Sequence, residues 1–123
     1  ATPPGFWKGD EELAWRQARA SRRGVLVSFY ASWCEACVLL ERDTLADPDV
    51  RQAIRERFVP LRIDVTEETA RSREQLERHG VYQLPAIVVI DTAGQPIDRI
   101  ETYLSPEAML SRLGKPDPAM ARR

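Results

Sequence analysis

Two cysteines separated by two residues are the strongest chemical signal in this sequence. They occur as Cys34-Glu35-Ala36-Cys37, and the 123 residues contain no other cysteine. A tetrahedral zinc site would need two further ligands, but the chain has a single histidine, so zinc would have to recruit carboxylates. A dithiol with this spacing can instead open and close as a disulfide. The spacing therefore predicts thiol–disulfide redox chemistry, with no metal and no cofactor beyond the Cys34–Cys37 pair.

The two cysteines are predicted to have different roles because they lie where a strand ends and a helix begins. Unpaired N–H groups at a helix N-terminus favour thiolate over thiol, so Cys34 should be the more reactive sulfur. Cys37 lies one turn further along the helix and should be more buried and less acidic. We expect Cys34 to attack a partner's disulfide as the nucleophile, and Cys37 to resolve the mixed disulfide that forms.

Two glutamates could tune this chemistry. Glu41 follows Cys37 by four residues and Cys34 by seven, so a helix places all three on one face. A partly desolvated carboxylate there would have a raised pKa and could accept the Cys37 proton. The alternative is a solvated glutamate paired with Arg42 or another neighbour. Glu35 places a negative charge beside Cys34, which disfavours the thiolate and predicts a reductant or balanced exchanger rather than a strong oxidant.

The elements that must position these residues alternate between helices and strands along the chain. Hydrophobic periodicity, capping residues and turn residues predict helices over 10–21, 34–45, 47–57, from Thr66 or Thr69 to His79, and over 105–113. Strands are predicted over 25–31, 58–65, 86–91 and 96–103. Pro60 removes a ladder donor and predicts that the second strand lies at an edge or is only partly paired at its start. Two β-α-β crossovers and a terminal hairpin then predict an α/β fold with a mixed sheet.

Length and charge restrict the function further. A chain of this size forms one domain, and we assign 1–9 as an N-terminal extension, 10–114 as the domain and 115–123, with two prolines, as a flexible tail. The net charge of −1 argues against a nucleic-acid partner. No apolar run approaches the roughly 18 residues of a membrane span. Without a hydrophobic leader, the chain is expected to be cytosolic or the trimmed, exported part of a longer protein.

Two segments resemble a known family. The run from Tyr30 to Cys37 (YASWCEAC) resembles the active-site segment of the thioredoxin superfamily, and the run from Val81 to Ala86 (VYQLPA) resembles the segment that carries its cis-proline. Within the superfamily, the sequence is most similar to the C-terminal periplasmic thioredoxin-like domain of the membrane reductase DsbD. That similarity also rests on Glu41, Thr44, Asp47-Pro48, Val50 and Val65-Thr66.

The resemblance implies a thioredoxin-like fold: a central mixed sheet of four to five strands, helices on both faces, a C-terminal antiparallel hairpin and a final helix. It implies that Trp33 shields the disulfide and shapes the partner-binding surface. It further implies that Pro85 is cis and lies against the disulfide, so that the Leu84 backbone can hold a bound chain. The residues between the cysteines, Glu35 and Ala36, would modulate the redox pair.

The sequence departs from the family pattern at two positions. Ser28 stands where the family has a buried aspartate, and Val38 stands where a lysine often follows the second cysteine. Without the aspartate, either Glu41 or water is left to accept the proton of the resolving cysteine.

We therefore expect a monomeric thiol–disulfide oxidoreductase of the periplasm. It would receive electrons from a membrane-embedded thiol protein and pass them to oxidised proteins through mixed disulfides. One alternative is a general cytosolic thioredoxin reduced by a flavin-dependent thioredoxin reductase. Another is a non-catalytic peptide-binding or chaperone module, which the intact Cys-x-x-Cys motif disfavours.

Overall fold

The computed structural model describes residues 5–114. They form a four-stranded sheet in the order β2-β1-β3-β4, with five α-helices, and the predicted α/β fold class is confirmed. The tail predicted over 115–123 lies outside the described residues. In chain order the elements are α1 (Glu11–Ser21), β1 (Gly24–Tyr30), α2 (Glu35–Leu40), a π-helical turn (Glu41–Leu45), α3 (Pro48–Arg57), β2 (Phe58–Asp64), α4 (Ala70–Arg78), β3 (Ala86–Ile90), β4 (Pro96–Ile100) and α5 (Pro106–Leu113).

The direction of β3 shows that the prediction of two β-α-β crossovers is wrong. Near the end of β1, Phe29 lies opposite Ile63 of the parallel strand β2 and opposite Ala86, the first residue of β3. The chain therefore leaves β2 and enters β3 at the same end of the sheet, where β1 also finishes, so β3 must run antiparallel to β1. Periodicity reports which face of a strand is buried but not its direction. Only the first crossover is a β-α-β unit, and β4 pairs with β3 in the predicted hairpin.

The central strand β1 is buried on both faces, as its apolar run predicts. Side chains alternate between the two faces of a strand. Val27 and Phe29 belong to a core cluster that contains part of α1 and both cysteines. Leu26 belongs to the opposite cluster, which contains the buried side chains of α3 and α5. Cys34 and Cys37 thus belong to one of the two apolar core clusters, which lie on opposite faces of the sheet.

The outer side of β2 is covered by the N-terminal segment. β2 is an edge strand, as Pro60 predicts. The Lys8 N–H donates to the Pro60 carbonyl at 2.9 Å, and the Lys8 carbonyl accepts from the Arg62 N–H at 2.8 Å. Phe6 is buried, with two guanidinium groups of α3 each 5.0 Å from its ring centroid. The described part of the predicted N-terminal extension is therefore packed on the domain and supports the strand next to the redox turn.

Candidate redox site

Cys34 and Cys37 form a disulfide across the first turn of α2, with their Cα atoms 5.2 Å apart. Cys34 is the N-cap of α2 in an extended backbone conformation, and its Sγ accepts a hydrogen bond from the Cys37 N–H at 3.2 Å. Both residues are largely buried, Cys37 more so than Cys34 (4% against 8% exposed). When the pair is reduced, the same N–H and the helix N-terminus favour a thiolate on Cys34.

An open groove of about 690 Å³ lies beside Cys34. It separates α4 from the redox turn and from the loop before β3, and most of its lining is apolar: Trp33, Val65, Leu76, Val81, Tyr82 and Leu84. Trp33 and Tyr82 are the most exposed of these side chains, at 68% and 87%. The groove therefore offers an apolar, partly aromatic surface next to the redox-active sulfur.

Trp33 is fixed in its exposed position by the loop that follows β2. Its Nε1–H donates to the Thr66 carbonyl at 3.0 Å, and the Thr66 hydroxyl oxygen accepts from the Ser32 N–H at 2.9 Å. Thr66 is itself held by Asp64, whose Oδ1 accepts from the Thr66 N–H and hydroxyl. These bonds join two segments more than 30 residues apart and hold the turn that carries Cys34.

The segment before β3 places two predicted residues at this site. The Leu84–Pro85 peptide bond is cis, as the family resemblance implies, and Pro85 is buried. Leu84 lines the groove together with Cys34 and packs against the core cluster that contains both cysteines. The structure therefore brings Trp33 and Leu84 to one groove with Cys34, while their roles in binding stay predictions.

Glu41 lies one helical turn beyond Cys37, since its backbone N–H donates to the Cys37 carbonyl. Its side chain is 17% exposed, and Oε2 is 3.1 Å from Nη2 of Arg62. Burial raises the pKa of the Glu41 carboxyl above its ordinary value, Arg62 opposes this rise, Asp64 adds to it, and Arg51 opposes it. This upward direction is the one expected of the partly desolvated alternative for Glu41.

Glu41 forms its ion pair with a residue of the sheet rather than with Arg42, its neighbour in sequence. Arg42 contacts Asp43 at 2.9 Å, while Glu41 pairs with Arg62 from β2. The reason is that Glu41 begins the π-helical turn and faces the sheet, whereas Arg42 and Asp43 are exposed. The carboxylate is therefore partly buried and paired at the same time, a combination that the two alternatives did not include.

The remaining predicted positions surround the pair. Glu35 is exposed in the first turn of α2, and Ala36 packs against the cluster that contains both cysteines. Ser28 is buried on β1, and Val38 is exposed on α2. Within residues 5–114, no three His, Cys, Asp or Glu side chains are grouped as metal ligands would be. In the same range, no helix is both long and apolar enough to cross a membrane.

Sequence reasoning missed the roles of Thr66 and Arg62. Thr66 was a candidate start of the helix that in fact begins after the N-cap Thr69, and Arg62 was one charged residue of an alternating strand. Both act on residues more than 20 positions earlier in the chain, so no local pattern marks them. One signal could have indicated Arg62 and Thr66: the apolar strand β2 ends in polar residues, and the ends of parallel strands meet where the redox motif follows β1.

Comparisons with known proteins agree with this geometry. A family model described as thioredoxin-like matches residues 7–92. The thiol:disulfide interchange protein DsbD 2 of Pseudomonas aeruginosa is 38% identical over 86 residues, which are 70% of this chain. The chain covers only 14% of that relative's length.

Solved structures share the fold. The oxidised C-terminal domain of DsbD from Neisseria meningitidis gives a TM-score of 0.75 at 23% identity, covering 88% of this chain and 97% of that one. A thioredoxin from Thermus thermophilus gives a TM-score of 0.77 at 25% identity, covering 89% of this chain and 85% of that one. The matched residues 7–92 include the disulfide turn, its groove and the cis-proline. With its redox motif in the matched region, the chain belongs to the thioredoxin-like family.

Proposed function

We propose that this domain is a thiol–disulfide oxidoreductase that works through Cys34 and Cys37 and needs no other redox group. The observation that carries the proposal is the position of the disulfide: it caps α2, where the Cys37 N–H points to the Cys34 sulfur, and it borders an exposed apolar groove. A purely structural disulfide has no need of a helix N-terminus or of an accessible groove. Membership of the thioredoxin-like family also supports a role in thiol–disulfide exchange.

The chemistry runs in two exchange steps. The Cys34 thiolate attacks one sulfur of a partner's disulfide, a Cys34–partner disulfide forms, and the other partner sulfur leaves as a thiolate. Cys37 then attacks Cys34 Sγ and releases the second partner sulfur, while Glu41 takes the Cys37 proton. The partner gains two electrons and the domain becomes the disulfide seen here. Glu41 supports this role because it is partly buried and lies one helical turn beyond Cys37 along the chain.

The groove supports a polypeptide as the substrate. Trp33 and Tyr82 expose apolar surface beside Cys34, and Leu84 lines the same groove one residue before the cis-proline Pro85. An extended chain lying there would place its cysteine over Cys34, with the Leu84 backbone available for strand-like hydrogen bonds. Oxidised proteins are therefore the proposed substrate class, with Trp33, Leu84 and Pro85 as binding residues.

The proposed setting is the periplasm, and the proposed direction is reduction. The curated relatives named thiol:disulfide interchange protein DsbD and the similar DsbD C-terminal domains support a donor that is a membrane-embedded thiol protein. Glu35, exposed beside Cys34, disfavours the thiolate and so favours a reductant or balanced exchanger over a strong oxidant.

Trapping with cysteine variants tests the proposal. Cys37→Ser should form stable mixed disulfides with oxidised proteins from a periplasmic extract, because no resolving thiol remains. Cys34→Ser should form none and should not reduce insulin disulfides, although it keeps Cys37. Mass spectrometry of the trapped species identifies the partners. Insulin reduction by Cys34→Ser at the wild-type rate would overturn the proposed mechanism.

A general thioredoxin is the second candidate, and the similarity to the Thermus thermophilus thioredoxin favours it. The two candidates differ in their electron donor. A flavin-dependent thioredoxin reductase with NADPH should reduce a cytosolic thioredoxin rapidly, whereas a domain that takes electrons from a membrane thiol protein should be a poor substrate for that enzyme.

A further inference from the structure

Arg62 is held beside Glu41 by contacts from three parts of the chain. Its Nη2 is 3.1 Å from Glu41 Oε2, and its guanidinium carbon lies 4.0 Å from the centroid of the Tyr30 ring. Its backbone N–H donates to the Lys8 carbonyl at 2.8 Å. The guanidinium therefore sits between an aromatic face and a carboxylate, on a strand whose outer edge is already paired. This arrangement restricts where the Arg62 charge can lie.

The Arg62 side chain combines an ion pair to Glu41 with a buried N–H donor. Its Nε–H is buried and has no hydrogen-bond partner among the described residues, which is unfavourable for the fold. Its register partner on β1 is the uncharged Ser28. The Arg62 side chain thus directs its charge to Glu41 while its Nε–H forms no hydrogen bond with the described residues.

Four charged groups other than Arg62 bear on Glu41 or lie next to it. Asp64 on β2 raises the pKa of the Glu41 carboxyl, and Arg51 on α3 lowers it, with Arg62 opposing the rise more strongly than Arg51 does. On Glu41's own segment, Arg42 and Asp43 pair with each other. Burial contributes most to the raised pKa of Glu41, and among the charged groups Arg62 opposes this rise most strongly.

We propose that Arg62 is the positioning residue for Glu41 and keeps this carboxylate ionised and in place to accept the proton of Cys37. The inference rests on the proposed function, in which Cys37 resolves the mixed disulfide. In that step the Cys37–Cys34 bond forms, the Cys34–partner bond breaks, the electron pair leaves on the partner sulfur, and the proton moves to Glu41. An uncharged residue at position 62 leaves Glu41 protonated up to a higher pH, and a protonated Glu41 cannot take the proton.

The two exchange steps can be observed separately with the aromatic disulfide 5,5′-dithiobis(2-nitrobenzoate). Attack by Cys34 releases one coloured thiolate, and attack by Cys37 on the mixed disulfide releases the second. Stopped-flow absorbance gives both rates across a pH series for the reduced wild type, Arg62→Gln, Arg62→Lys and Glu41→Gln. Arg42→Gln is the matched control, because it removes an arginine next to Glu41 in sequence whose partner is Asp43.

The expected result is a displaced pH profile of the second phase. In Arg62→Gln, its acid limb should move up by about one pH unit, the lower end of the effect of an opposite charge on a nearby carboxyl. Arg62→Lys should restore most of the wild-type profile, Glu41→Gln should remove this limb, and Arg42→Gln should match the wild type. The first phase should keep its pH dependence in every variant.

Other outcomes overturn the inference and can be told apart from failure of the proposed function. An unshifted profile in Arg62→Gln, or one lowered by the same factor at every pH, would assign Arg62 a structural role only. Should Arg62→Gln not fold, Arg62→Met takes its place, because it keeps an unbranched side chain beside Tyr30 while removing the charge. Failure of the wild type to reduce insulin disulfides, with both thiolate phases intact, would instead contradict the proposed function.

Discussion

The first turns of α2 and α3 both have backbone N–H groups that need an acceptor, and different atoms accept them in the two helices. Each helix begins after an N-cap residue in an extended conformation, whose side chain accepts a backbone N–H. At α3 the Asp47 carboxylate accepts from the N–H groups of Asp49 and Val50, at 2.9 and 3.1 Å. At α2 the acceptor is the Cys34 sulfur, at 3.2 Å from the Cys37 nitrogen.

The difference lies in whether the charge of the cap can change. The Asp47 carboxylate is a strong acceptor that takes no part in redox chemistry, so the N-terminus of α3 is capped in the same way in the oxidised and the reduced protein. A disulfide sulfur is a weak acceptor, whereas a thiolate is a strong one, so the N-terminus of α2 interacts more strongly with the reduced protein. The same backbone geometry thus serves the fold at one helix and the redox reaction at the other.

Replacing the cap of α2 should have the largest effect on activity. In Cys34→Ser, insulin reduction should fall to background, because a hydroxyl does not replace the thiolate nucleophile. Serine is nevertheless a good N-cap, so urea unfolding of this variant should give a free energy within about 1 kcal/mol of the reduced wild type. A much larger loss of stability would mean that the sulfur is a structural requirement of α2.

Replacing the cap of α3 should give the opposite result. Asp47→Ala leaves two backbone N–H groups without their acceptor and should lower the free energy of unfolding by about 1 kcal/mol, within the 0.5–2 kcal/mol known for such caps. The rate of insulin reduction well below the unfolding temperature should stay at the wild-type value. A lowered rate in the folded variant would show that the two helix starts are coupled.

A third variant tests how far the start of α2 depends on the loop after β2. Thr66→Val keeps the volume but removes the acceptor of the Ser32 N–H and the hydroxyl bond to Asp64. We expect the KM for a protein disulfide to rise about fivefold, the equivalent of one hydrogen bond, with kcat unchanged. The reaction with a small aromatic disulfide should not change. Thr92→Val, in the exposed turn between β3 and β4, is the control.

The smallest effect should come from removing one negative charge from the first turn of α2 and, as a control, one from the first turn of α3. Glu35→Gln should stabilise the Cys34 thiolate and make the reduction potential less negative by about 5–20 mV, because one helix-terminal charge is worth about 0.3–1 kcal/mol. Asp49→Asn makes the same change at α3 and should leave the potential unchanged. Equilibration with glutathione buffers measures both, and a more negative potential in Glu35→Gln would contradict the assigned role of Glu35.

Local sequence patterns account for most of the fold. Pro48 after Asp47 marks the start of α3, Pro60 marks an edge strand, and the apolar run of β1 gives its burial on both faces. Each of these signals acts within a few residues of itself. The direction of β3 is not local, because it depends on where the whole segment from 65 to 85 returns to the sheet.

The residues of the site also fall into those that local sequence predicts and those that it does not. The Cys34–Cys37 pair and the position of Glu41 one turn beyond Cys37 could be predicted, since helical spacing determines them. The Arg62 ion pair and the Thr66 bonds could not be predicted, because β2 supplies both and its register against β1 decides which side chains meet. For the same reason, the role of Glu41 could not be separated from that of a paired surface glutamate.

The pairing of Lys8 with the outer edge of β2 has a consequence for how the domain behaves in a crowded compartment. A bare sheet edge is a template on which strands of other molecules can add and aggregates can grow. Along β2 the carbonyl of residue 60 and the N–H of residue 62 already have partners, and proline has no N–H to offer. The domain can therefore expose the apolar groove beside Cys34 while the outer edge of β2 is protected from strand addition by other molecules.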